Sequence, residues 1–128
     1  MTSELSILAL YGFVIAITIL IQVTAALGQA SLLDLARSRD DLPDLTGIAG
    51  RLLRAVNNSI VAMALFAPAV LILEVKGIHT AQTLLAAQVF LIARIAYVPI
   101  YAFGIPWLRT LVWITGFLAT LLLYWMSF

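Results

Sequence analysis

The chain has 128 residues, 64% of them hydrophobic and 10% charged, with a formal net charge of +1. That composition leaves too little polar surface to coat a soluble globule of this size, and it lacks the basic field of a nucleic-acid binder, so no nucleic-acid partner is expected. The absence of cysteine removes disulfides, thiolate metal sites and a cysteine nucleophile, so any thiol chemistry must use another molecule's thiol.

The opening Met1-Thr2-Ser3-Glu4 has no basic region of the kind that begins a secretory signal. The uncharged run from Leu5 to Leu33 is also too long for a signal core and reads as a retained spanning helix. The stretch 35–49, with Arg37, Arg39, Asp40, Asp41, Pro43, Asp44 and Gly47, reads as a solvated loop rather than a metal cage, and no metal site is expected. The charge-free run Ala55–Leu73, at about 1.5 Å per residue, crosses close to the roughly 30 Å of a hydrocarbon core. A third span follows Lys76-Gly77, and the breakers Gly104 and Pro106 separate it from a fourth. The predicted fold is therefore all-α, a single integral-membrane four-helix bundle over 1–128, with helices at about 5–33, 48–74, 79–102 and 107–127.

Arg37, Arg39, Arg51, Arg54 and Arg109 flank the first and third connections, whereas Lys76 falls on the second. The positive-inside rule then puts both termini outside, in the cytoplasmic membrane if the chain is bacterial. Tyr11, Trp107, Trp113, Tyr124 and Trp125 have the distribution of interface anchors. His79, the one histidine, falls in the outer connection, a membrane thickness from the arginines, and reads as a solvated loop residue. Pro68 and Pro99 read as kinks tolerated in a bundle. Asn57-Asn58-Ser59 matches a glycosylation acceptor, but inside a helix on the inner side it should not be modified.

Arg94 is the most telling residue, because it interrupts the apolar run Leu91-Ile92-Ala93 and Ile95-Ala96. A lone arginine at bilayer depth costs about 2.5 to 3.5 kcal/mol on insertion scales and persists where a partner, a wet cavity or an anion compensates. Arg51, Arg54 and Asn58 fall at i, i+3 and i+7 on the second helix, and Arg94, Tyr97 and Tyr101 repeat that spacing on the third. Arg109 and Thr110 open the fourth helix on the same side, where helix N-termini add partial positive charge. Together these groups form an anion trap. Each member also has a plainer explanation. Arg51 and Arg54 serve as topology-setting flanks, Arg94 pairs with Asp34 or Asp44, the tyrosines pack at helix ends, and Asn58 bonds a neighbouring helix.

The string Arg51-Leu52-Leu53-Arg54-Ala55-Val56-Asn57-Asn58, followed by Arg94, Tyr97, Tyr101 and Arg109-Thr110, resembles the MAPEG family, the membrane-associated proteins in eicosanoid and glutathione metabolism. The resemblance implies a homotrimer of four-helix protomers, with glutathione as co-substrate bound between subunits toward the cytoplasmic side. It further implies that Arg54, Asn58, Arg94 and Tyr101 contact glutathione, that Arg109 stabilises the thiolate as the catalytic residue, and that Thr110 and Trp113 line the pocket. Arg51 and Tyr97 complete the set by their places on the two stripes. Arginine forks suit the carboxylates of glutathione. Lowering a thiol pKa by two units takes about 2.7 kcal/mol of preferential thiolate stabilisation.

The chain departs from the family pattern at three positions that are commonly polar and are here Gly50, Val56 and Val61. Val61 continues the Arg54 and Asn58 face, so the carboxylate expected to hold a ligand ammonium is missing. Besides a small multispan scaffold or chaperone subunit whose arginines only pair with loop acids, two readings stay open. One is a glutathione transferase or peroxidase acting on a lipophilic small molecule from the bilayer. The other is a non-catalytic trimer that binds an anionic lipid or metabolite.

Overall fold

The computed structural model describes residues 3–28 and 47–128. Within them run four helices, each long and apolar enough to cross a membrane: α1 Glu4–Ala26, α2 Gly47–Lys76, α3 Ala81–Ala102 and α4 Pro106–Ser127. The all-helical architecture thus agrees with the sequence. The polar connection with Arg37, Arg39, Asp40, Asp41 and Asp44 lies outside the described residues, as does the remainder of the expected first span, 29–33.

Local chemistry explains where the helices start and stop. Ser3 caps α1, its hydroxyl accepting from the Ser6 amide at 3.1 Å, and Glu4 sits in the first turn, where a carboxylate complements the helix dipole. Thr80 caps α3 through a capping box with Thr83. Two helices stop in the same way. Gly77 takes φ +68, its amide bonding Glu74 O at 3.1 Å while the Ile78 amide reaches Leu73 O at 2.9 Å. Gly104 takes φ +71, with matching bonds to Tyr101 O at 3.0 Å and from Ile105 to Ile100 O at 3.2 Å. These are Schellman stops, and the left-handed backbone they require is cheap only for glycine. Pro106 then opens α4, where a missing amide proton costs nothing. Pro68 and Pro99 lie inside α2 and α3, and both helices continue through them. Near the first, Tyr124 donates to Leu65 O at 2.6 Å, one turn below the proline.

The core is built on three aromatic rings from three helices. Phe66 and Phe90 stack at 3.9 Å, and Tyr11 meets Phe90 edge-on at 4.9 Å. Such pairs add about 0.5–1.5 kcal/mol each beyond burial. Small residues bring α3 and α4 together: Ala86, Ala93, Gly116 and Ala119 are all buried. In a membrane, where lipid is as apolar as leucine, close backbone approach drives helix association. Large apolar side chains such as Phe13, Leu20, Ile60 and Ile92 point outward. That inversion of the soluble pattern is what lipid or a partner subunit requires.

The end of the bundle that holds the α2–α3 turn is tied shut by polar groups. Buried Glu4 accepts from the Thr83 hydroxyl at 2.7 Å, and its other oxygen lies 3.2 Å from His79 Nδ1. His79 Nε2 lies 3.2 Å from Glu74, and Lys76 Nζ donates to Ser127 O at 2.6 Å. His79 is therefore not a free loop residue; it joins α1 and α2 beyond the end of the apolar core. Two expected interface anchors also have other roles. Tyr11 is 1% exposed and donates to Ser59 O at 2.9 Å, and Tyr124 bonds Leu65 as described. Trp107 and Trp125 do project outward.

Candidate functional site

The opposite end gathers the arginines. At the N-terminal part of α2, the C-terminal part of α3 and the start of α4, the side chains of Arg54, Asn58, Tyr97, Tyr101, Arg109, Thr110 and Trp113 line one open cleft of about 310 Å³. Helical periodicity alone puts Arg54 beside Asn58 and Tyr97 beside Tyr101. Only packing brings the two stripes and the start of α4 to the same space.

Tyr101 is the hub of the cleft. Arg109 stacks over its ring with the guanidinium carbon 4.7 Å from the centroid. Arg54 reaches it from the other helix, Nε donating to the hydroxyl at 3.3 Å with the guanidinium 6.0 Å from the ring. Tyr97 lies edge-on to Tyr101 at 5.5 Å. Two cations thus sit around one electron-rich ring, an arrangement that holds them near each other while leaving their other N–H groups without a carboxylate partner among the described residues. The acids among the described residues, Glu4 and Glu74, are both at the far end of the bundle. No ion pair to Arg54 or Arg109 forms among the described residues. Thr110 donates its hydroxyl to Pro106 O at 3.2 Å and keeps its acceptor lone pairs.

The other two arginines lie beside the cleft. Arg51 donates Nε to Ala102 O at 2.7 Å, closing the C-terminal end of α3, and its side chain lies alongside Gly104. Arg94 is one layer deeper and 2% exposed. Its Nη2 donates to Ser59 Oγ at 3.2 Å and its guanidinium covers the Tyr97 ring at 4.1 Å. The alternative partners Asp34 and Asp44 lie outside the described residues. Gly116 packs directly against it: a Cβ at that position would stand in contact with Arg94 Cδ, at 3.4 Å.

Three residues of this neighbourhood escape sequence reasoning. Ser59 follows Asn58 directly and so falls off the polar stripe, yet it receives Arg94 on its hydroxyl and Tyr11 on its carbonyl. Tyr11 reads as an anchor by position, and Gly116 as an ordinary small residue in an apolar helix. The signal that could have found Ser59 and Gly116 is their size opposite a buried arginine. Of the departures from the family pattern, Gly50 and Val56 are buried away from the cleft, while Val61 is 60% exposed on the continuation of the Arg54 and Asn58 face.

A wider concavity, about 690 Å³, lies elsewhere, between the first half of α3 and the second half of α4, with walls such as Leu85, Val89, Leu118 and Leu122. It is an apolar groove with little to do chemistry. No group of histidine and acidic side chains that could hold a metal occurs among the described residues.

The sequence profile of the MAPEG family matches residues 5–128, nearly the whole chain. No curated protein and no solved structure gives a match.

Proposed function

Because the chain belongs to the MAPEG family and is an integral multi-pass membrane protein, we propose that it is a glutathione-dependent transferase or peroxidase acting on lipophilic substrates. In this reading the arginine cleft takes glutathione. Arg54 and Arg109 meet its carboxylate and thiolate charges, Asn58, Tyr97, Tyr101, Thr110 and Trp113 form the walls, and Arg51 and Arg94 support them from either side. Arg109 is the thiolate-stabilising group, held in place by the Tyr101 ring. The working assembly is a homotrimer in which a neighbouring subunit closes the cleft. The cleft faces the cytoplasm and both termini lie outside, as the basic residues around it favour.

The observation that carries this reading is the pair Arg54 and Arg109 around Tyr101, with no described carboxylate at that end of the bundle. Fixed cations in a partly dry cleft stabilise an oxyanion or thiolate more than they do in water. The deciding measurement is a thermal-shift and thiolate-absorbance titration of the purified trimer with glutathione. A saturable shift, with thiolate absorbance lost in Arg109→Ala, is the expected result. An unchanged melting curve at millimolar glutathione sinks the proposal.

A specific observation favours a second reading. Val61 continues the Arg54 and Asn58 face just beyond the cleft and carries no carboxylate for a ligand ammonium, so the cleft suits an anion without an amine, such as a lipid phosphate or another anionic metabolite. Native mass spectrometry separates the two: a co-purified phospholipid that survives excess glutathione supports the non-catalytic binder.

A further inference from the structure

Arg94 is 2% exposed and lines no wall of the arginine cleft; the space it meets is a separate small chamber of about 120 Å³ toward α4. The family resemblance implies a ligand contact for this residue, whereas the bundle holds it a layer below the ligand's reach. Its described partners are neutral: the Ser59 hydroxyl on Nη2 and the face of the Tyr97 ring, while Nε has none. Both described acids, Glu4 and Glu74, lie at the far end of the bundle. A buried cation without a counter-charge costs more than a neutral polar side chain making the same hydrogen bond. These contacts alone therefore do not account for a charge at this depth, and what the charge acts on lies beyond them.

Two rings lead from Arg94 to the cleft. The Arg94 guanidinium covers Tyr97 at 4.1 Å, Tyr97 meets Tyr101 edge-on at 5.5 Å, and Arg109 lies over the Tyr101 ring at 4.7 Å. From the interior to the mouth the order is cation, ring, ring, cation. Aromatic side chains turn about only two bonds, so such a stack keeps its spacing. Seven residues of α3, roughly 10 Å of helix, separate Arg94 from Tyr101. Tyr97, between them, is 3% exposed, so water screens this charge far less than it screens one on the surface. We infer that Arg94 is a positioning residue of the cleft: it touches no ligand and acts through Tyr97 and Tyr101 as a fixed charge beneath Arg109 that favours an ionised thiol. Its application to glutathione rests on the function proposed above, but the field it sets up in the cleft does not. On ionisation the thiol proton passes to water at the open mouth, and the charge left on sulfur faces Arg109 directly and Arg94 from below. A unit charge about 10 Å away, at an effective dielectric near 20, moves such an ionisation by about one pKa unit.

The chain has no cysteine, so Thr110→Cys places a single reporter thiol in the cleft and needs no glutathione. In lipid nanodiscs, the pH dependence of its alkylation by iodoacetamide gives its pKa. Arg94→Gln, which removes the charge, should raise that pKa by about one unit, equivalent to about tenfold slower alkylation at neutral pH. Ser59→Asp keeps Arg94 in place but pairs it with a carboxylate, and should raise the pKa by a similar amount. Arg94→Lys, which keeps the charge, should recover at least half of the shift. No shift in folded Arg94→Gln or Ser59→Asp, or an Arg94→Lys protein that behaves like Arg94→Gln, overturns the assignment, because a residue that only braces the helices moves stability and leaves the thiol alone. Without the reporter cysteine, the thiolate absorbance of bound glutathione should shift to the same extent in Arg94→Gln, while S-methylglutathione, which has no thiol to ionise, binds within about threefold of its original affinity, as expected where carboxylates at the open mouth are screened by water. A reporter shift in a protein indifferent to glutathione supports the role of Arg94 and counts only against the preceding proposal. Glutathione binding with an unmoved reporter overturns the role of Arg94 and leaves that proposal standing.

Discussion

At one end of the bundle Glu4, Glu74, His79, Thr83 and Lys76 bond to one another or to a main-chain oxygen. At the other, Arg54 and Arg109 crowd one tyrosine ring and meet no described carboxylate, and a layer deeper Asn58 Oδ1 and Arg94 Nε lack partners. Both ends place polar side chains next to a hydrocarbon-filling core, where satisfaction is the condition for stability. The first end meets that condition internally and so reads as a fastening. The second leaves donors and charge uncompensated among the described residues, which is the mark of a surface built for something else to complete.

The contrast can be broken by substitution. The largest expected effect is at the cationic end: Arg54→Ala with Arg109→Ala should weaken glutathione binding by about a hundredfold or more, the scale of losing charge-assisted hydrogen bonds, while the melting temperature is held or raised by relief of like charges. Calorimetric titration beside a melting curve reads both. Next comes Glu4→Ala at the fastened end, which leaves His79 without its buried partner and should cost about 1–3 kcal/mol in denaturant unfolding with ligand affinity unchanged. If Glu4→Ala instead altered affinity and spared stability, the division between the two ends would be wrong.

Ser59→Ala tests the boundary between them. It removes the acceptor of Arg94 Nη2 inside the bundle, and a loss of about 1 kcal/mol in stability is expected together with a several-fold weaker grip on ligand; Ser59→Thr should restore part of both. The smallest effect is expected from His79→Gln. The histidine side chain is 46% exposed, and partly solvated ion pairs contribute about 1 kcal/mol or less. A large destabilisation there would show that the imidazole bridge, and not Glu4 with Thr83, closes that end.

How much of this was legible beforehand differs by residue. Long charge-free runs and the breakers Gly104 and Pro106 announced the spans, because backbone hydrogen bonds in lipid must be satisfied within the segment and helices do that locally. The stripes Arg51, Arg54, Asn58 and Arg94, Tyr97, Tyr101 were readable for the same local reason, the fixed 3.6-residue period. What each stripe member touches was not. Arg51 ends on the Ala102 carbonyl and Arg94 on Ser59, while Arg54 and Arg109 share Tyr101. These pairings depend on the rotation and depth at which three helices meet.

The sequence by itself determined that this is a membrane-spanning helical chain with arginines at one end, since hydropathy, length and periodicity are properties of segments taken one at a time. Only the tertiary structure decided which cations meet no carboxylate among the described residues, which are consumed as helix fastenings, and that a buried guanidinium packs against a glycine on α4 beside a small chamber. Those outcomes rest on packing between residues distant in sequence, and no single segment carries that information.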